Sequence, residues 1–214
     1  MLRLTKKENT VNINFDIYLI NRSNTDVNLF ILASSIKKQI ESVYSGKFSS
    51  LELTTIATIK PIYKHQLRLL YNNLVIAISD HVTNDNVAEA DFGGLLIKLN
   101  PKHIDSINSG KNKRTIAHEL GHILGLDHPH ANAKFESVNT AASLLEQNIT
   151  NEEKKYNLMC QGWYIQKANI DLNDALVLTE NQIIVILENY FSKKLNKNYS
   201  LAKGIFNYKW IGKI

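Results

Sequence analysis

A single cysteine, Cys160, in a chain of 214 residues excludes an internal disulfide. No apolar run approaches the roughly 20 residues that a membrane-spanning helix requires. The opening stretch, Met1-Leu2-Arg3-Leu4-Thr5-Lys6-Lys7-Glu8, holds neither the apolar core nor the cleavage site of a secretory signal. The chain is then either cytoplasmic, or a mature form or domain whose export signal and pro-segment lie outside it. No internal repeat or low-complexity segment is present. Basic residues exceed acidic ones by 25 to 20, a net charge of +5. They are scattered and not interleaved with aromatics, which argues against a nucleic-acid platform. The run Lys111-Asn112-Lys113-Arg114 reads as solvated surface. Asp80, Asn84, Asp85, Asn86 and Asp91 offer the oxygens that calcium takes, but without EF-hand spacing they read as a solvated loop.

A hydrophobic content of 44% is enough for an ordinary core. The length suits one domain, residues 1–214, with an N-terminal lobe of about 1–125 and a C-terminal lobe of about 126–214 around a cleft. A monomer is expected.

The chemistry concentrates in residues 118–128, His118-Glu119-Leu120-Gly121-His122-Ile123-Leu124-Gly125-Leu126-Asp127-His128, which read HExxHxxGxxH. Residues four apart on a helix share a face, so His118 and His122 can point at one ion. Gly125 stands where the helix must end, because glycine takes the left-handed conformation without a Cβ clash. The chain can then turn and bring His128 up as a third ligand. Three protein ligands leave a fourth position open, the arrangement of a catalytic zinc site rather than a structural one. Glu119 sits beside the ligands, placed to act on water. A lone HExxH arises by chance in many helices, but the extended form specifies five residues in eleven positions. Ile116, Leu120, Ile123 and Leu124 form the apolar stripe that a core helix needs on its other side.

About thirty residues on, Asn157-Leu158-Met159-Cys160-Gln161-Gly162 looks like a Met-turn, with Cys160 as a small buried hydrophobe. Together the two stretches resemble the metzincin clan of zinc metallopeptidases. Leu178-Thr179-Glu180-Asn181-Gln182 is similar to pappalysin-like and reprolysin-like bacterial members, and the pair His128-Pro129 to serralysins and their matrixin-like kin. Position 161 is glutamine where astacins and serralysins carry tyrosine. The resemblance implies an α/β (α+β) fold, with a mixed twisted sheet and two long helices in the N-terminal lobe. It also implies a mostly irregular C-terminal lobe ending in a helix. Met159 would lie beneath the imidazoles as an apolar floor. Gly94, Leu95, Leu96 and Ile97 would belong to an edge strand that holds an extended peptide, with Gln161 and Trp163 near the pocket beside Met159. Secretion is favoured by the resemblance alone.

Elsewhere, Val11, Ile13, Phe15, Ile17 and Leu19 alternate as a strand does. A helix is expected from the loop at 21–26 to about Ser45, stopped by Gly46. Strands are expected at Leu51–Ile59, ended by Pro61, at Leu74–Ile78 and at Leu95–Leu99. A helix is plausible near 138–147. Thr179 and Gln182 make a capping box for a last helix striped by Ile183, Ile186, Leu187 and Tyr190. Residues 196–214 form a basic, aromatic tail.

The expected function is a zinc-dependent endopeptidase, with His118, His122 and His128 holding Zn2+ and Glu119 as general base on a protein or peptide substrate. Calcium is a second ion without sequence support. Two alternatives are an effector or toxin protease with one intracellular target, and a catalytically silent zinc-containing peptide-binding module. The intact Glu119 argues against the silent module.

Overall fold

The computed structural model describes residues 2–63, 66, 70, 73–82, 86–129 and 155–195, with the side chain of Tyr164 excepted. The expected helix near 138–147, the tail 196–214 and residues Asn84 and Asp85 of the polar loop lie outside the described residues. The fold is mixed α/β. Its described strands form one seven-stranded mixed sheet.

β2 (Thr10–Asn21) is the strand around which the others assemble. Val11, Ile13, Phe15, Ile17 and Leu19 all point into the core, each at most 1% exposed, as the period of two requires. β4 (Leu51–Ile62) runs parallel along its whole length, from Thr10↔Glu52 to Ile20↔Ile62. On its other side β2 pairs antiparallel with β1 (Leu2–Lys7) and then parallel with β5 (Leu74–Ile78). β5 is buried at every position, as a strand covered on both faces must be. β1 was not expected from the sequence. Only Leu2 and Leu4 carry its alternation inward before the strand turns polar.

α1 (Leu29–Val43) is capped by Asn28, whose side chain accepts from the amides of Phe30 and Ile31. It packs on β4 and against α2 (Ile104–Asn108) and α3 (Thr115–Ile123). The expected stop at Gly46 is wrong. The helix closes at Tyr44, which is wholly buried, and Gly46 instead opens β3 (Gly46–Phe48) with φ 128°.

Pro61 does not end β4, and the reason is parity. The amides of Thr55 and Ala57 point away from β2, toward Ser45 Oγ at 3.0 Å and Glu41 Oε1 at 3.0 Å. Pro61 shares that parity, so its missing N–H falls on the outer side, past the short pairing with β3.

The expectation that Leu95–Leu99 forms the sheet edge is also corrected. β7 (Leu96–Leu99) is paired on both sides, parallel to β5 and antiparallel to β6 (Ala88–Ala90). Leu96 is 5% exposed and Ile97 is fully buried, so neither has backbone to offer an extended peptide. The Gly93-Gly94 pair is the turn of this hairpin: Gly93 has φ 62°, and Gly94 N–H donates to Asp91 O at 2.9 Å. The edge position belongs to β6. Among the described residues, no helix is long and apolar enough to cross a membrane.

Candidate metal centre

α3 begins where Asn112 Oδ1 accepts from the amides of Arg114 and Thr115, at 3.2 and 3.0 Å. It ends in a Schellman arrangement. Gly125, at φ 82°, donates to His122 O at 3.0 Å, and Leu126 donates to Gly121 O at 2.9 Å. This turn reverses the chain so that His128 faces the helix it has just left. The nearby hairpin is pinned to the same helix by Gly93 N–H, which donates to His122 O at 2.8 Å.

The three histidines meet as their spacing predicts. One ligand atom from each of His118, His122 and His128 lies within 4.8 Å of the others, the one such triad found among the described residues. His118 Nε2 and His128 Nε2 are 3.4 Å apart. Tetrahedral zinc with bonds of about 2.0–2.1 Å holds its ligand nitrogens about 3.3–3.4 Å apart. Each Nδ1 has a partner behind it: Leu158 O at 2.7 Å for His118, Leu126 O at 2.8 Å for His122, and the Gln161 amide at 3.3 Å for His128. Such partners orient the rings and leave the Nε2 lone pairs convergent. Burial, reinforced by the neighbouring His122 and Arg114, holds His118 well below the usual imidazole value, and burial also lowers His122. Both rings are therefore kept neutral, the form that binds a metal ion. The donor set fits zinc.

Met159 is fully buried in the expected turn, where its amide donates to Asn157 Oδ1 at 2.9 Å. Its thioether sits against the backbone of Gly121, the residue before His122. A Cβ at position 121 would overlap the Met159 sulfur and reach within 3.3 Å of the Tyr44 hydroxyl. That hydroxyl donates to Ala117 O at 2.8 Å, so α1 and the Met-turn both close on α3.

Arg114 is the residue that sequence reasoning missed. It belongs to the run read as solvated surface, yet it is only 8% exposed. Its guanidinium donates to Ala175 O at 3.1 Å and to both Leu158 O and Cys160 O, and lies 3.1 Å from His118 Nδ1. Burial lowers its pKa to about 10, which leaves it charged at neutral pH. A signal was there to find: Arg114 precedes His118 by four residues, on the same helical face.

The last helix, α5 (Glu180–Phe191), supplies two more contacts. Thr179 and Gln182 form the expected capping box, with exchanges of 3.0 and 3.2 Å. Gln182 also makes a reciprocal amide pair with Asn157, at 2.9 and 3.0 Å, and both are fully buried. Seven residues on, buried Asn189 donates to Leu124 O at 3.4 Å and fills the space beside Gly125.

Glu119 is 8% exposed and is not one of the ligating groups. Burial pushes its carboxyl up to about 7, with Glu89 adding to the rise, while Arg114 and a backbone hydrogen bond from Ala90 of β6 oppose it. Gln161 stands beside His128, and Trp163, at the start of α4 (Gly162–Lys167), is 57% exposed with its indole N–H on Gln161 Oε1. Cys160 is buried against Ile165 and Ala175, as expected.

The Glu119 environment predicts a pH dependence of stability in metal-stripped protein. The unfolded chain releases this proton near the ordinary 4.5, and the folded chain only near 7. Stability is thus fullest below the lower value, falls between the two and stays reduced above the higher one. The gap is worth roughly 3 kcal/mol. Glu119→Gln should melt above wild type at pH 8 in chelator and together with it at pH 4. Identical melting at pH 8 would show that the ionised carboxylate is not penalised.

No model of a known protein family matches the chain, and no curated protein matches it. Its chemistry rests on its own residues.

Proposed function

We propose that this chain is a zinc-dependent endopeptidase of metzincin type. The observation that carries the reading is the convergence of one ligand nitrogen from each of His118, His122 and His128, with a buried carboxylate outside that set, Glu119, on the same helix. His118, His122 and His128 would hold the ion. Bound there, zinc would supply the Lewis acidity that polarises a peptide carbonyl and brings the pKa of water to about 7. Glu119 accepts the proton of the attacking water and returns it to the leaving amine nitrogen. A carboxyl pushed up to about 7 suits both directions of transfer. No side-chain nucleophile is required. An extended substrate finds its backbone partner on β6, the terminal strand of the sheet, whose Ala90 also touches Glu119.

The test combines zinc quantification with digestion of a peptide library, with and without chelator. One zinc per chain and chelator-sensitive cleavage restored by Zn2+ are expected. Cleavage indifferent to chelator would overturn the reading. His122→Ala should retain the fold and lose tight zinc, because two imidazoles cannot complete the site. A His122→Ala protein that still carries one tightly held zinc would remove His122 from the ligand set.

A further inference from the structure

The carbonyl behind His118 comes from far along the chain: Leu158 O, 40 residues on, lies 2.7 Å from Nδ1. The corresponding acceptor of His122 is Leu126 O, which the helix-ending turn delivers by itself through Leu126 N–H on Gly121 O. His118 has no such local source. Arg114, one helical turn earlier, reaches the same place. Its Nη2 donates to Leu158 O and Cys160 O and lies 3.1 Å from His118 Nδ1.

Nη2 carries two hydrogens and faces three neighbours. The two carbonyl oxygens can only accept, so they take both hydrogens. Nδ1 is the one neighbour able to bring its own, and Leu158 O has a second lone pair to receive it. A neutral imidazole has one ring proton, so a proton on Nδ1 leaves Nε2 bare. In the opposite tautomer Nδ1 would draw a hydrogen away from one of the carbonyls. Nε2 would then become a donor toward His128 Nε2, 3.4 Å away, and be closed to a metal.

We propose that Arg114 is the positioning residue of the first ligand: by holding Leu158 O against Nδ1 and leaving that nitrogen no hydrogen to accept, it sets His118 in the metal-binding tautomer before any ion arrives. The inference rests on the metal-binding part of the reading above. It gives the guanidinium a task beyond joining two segments of the chain.

The experiment uses the full chain, metal-free and labelled with nitrogen-15 in histidine, at neutral pH. Long-range proton–nitrogen correlation separates a protonated ring nitrogen from a bare one, and a His118→Gln variant assigns the signals. In the parent, His118 should show Nδ1–H with Nε2 bare before zinc is added. A parent in which His118 Nε2 is mainly protonated overturns the proposal, and this result needs no Arg114 variant to fold. In Arg114→Met the Nε2–H form should appear at His118 while His122 keeps the parent pattern. Competition with a chromophoric chelator should show zinc bound about 10–100-fold more weakly. A folded Arg114→Met whose His118 stays wholly Nδ1–H overturns the proposal, because Leu158 O would then suffice alone. Equal change at His118 and His122 also overturns it, because general loosening of the site would be the cause. Absence of zinc uptake by the parent overturns the metal reading itself, whereas the tautomer of His118 is read without zinc.

Discussion

Glu119→Ala is expected to lower peptide hydrolysis by a factor of about 10²–10⁴ or more while the protein keeps its zinc. The three imidazoles converge without help from this carboxylate, so metal content should equal that of wild type. The side chain is buried, but its contribution to stability at neutral pH is unfavourable, because burial raises its pKa. Its removal therefore leaves a small cavity but also relieves a charged group of its desolvation. Folded, zinc-loaded and inactive is the expected combination, read from metal analysis, circular dichroism and turnover on one preparation. Near-normal turnover by zinc-loaded Glu119→Ala would require another proton acceptor and end this assignment.

Arg114→Met should destabilise the fold by about 3 kcal/mol or more. One guanidinium satisfies carbonyls from two segments, the turn at Leu158 and Cys160 and the end of the 3-10 turn at Ala175. Leu158 O keeps a second partner in His118 Nδ1, while Cys160 O and Ala175 O each lose the guanidinium as a donor. Each buried group left unsatisfied costs about 1–3 kcal/mol. Release of a buried charge offsets part of this, since burial already holds the guanidinium below its ordinary pKa. The loss remains a large share of the 5–15 kcal/mol typical of a domain. Arg114→Lys should not restore it, because a single ammonium cannot reproduce the spread of a planar fork. Urea unfolding of the zinc-free proteins measures both. A lysine variant as stable as wild type would mean that the charge matters and the fork does not.

The histidine triad was legible because its geometry is largely local. A repeat of 3.6 residues per turn puts His118 and His122 on one face, and one glycine stop turns the chain back toward them before His128. The burial of Met159 in a turn was legible through its motif. Arg114 was not, because a basic run has the same appearance whether it faces water or lies beneath a neighbouring turn. Gln182 was half legible: its capping role is local, whereas its pairing with Asn157 spans 25 residues. The edge of the sheet was misplaced for a related reason. Leu95–Leu99 has the composition of a strand, but only the hairpin through Gly93 and Gly94 shows that β6 covers it. Pro61 misled because whether its missing donor matters depends on which side of β4 has a neighbour.

Gln182 and Asn189 are separated by two turns of α5, a rise of about 10 Å. One holds the Met-turn and the other holds the turn that delivers His128. The helix thus works as a gauge block: it sets the gap between the turn at Met159 and the turn that precedes His128 from outside the motif that contains the three histidines. A single residue inserted between them would swing one contact about 100° around the axis, leaving all three histidines in the chain and one of the two turns without its brace. A fragment cut after Gly162 would carry the whole histidine motif without the helix that braces its two turns.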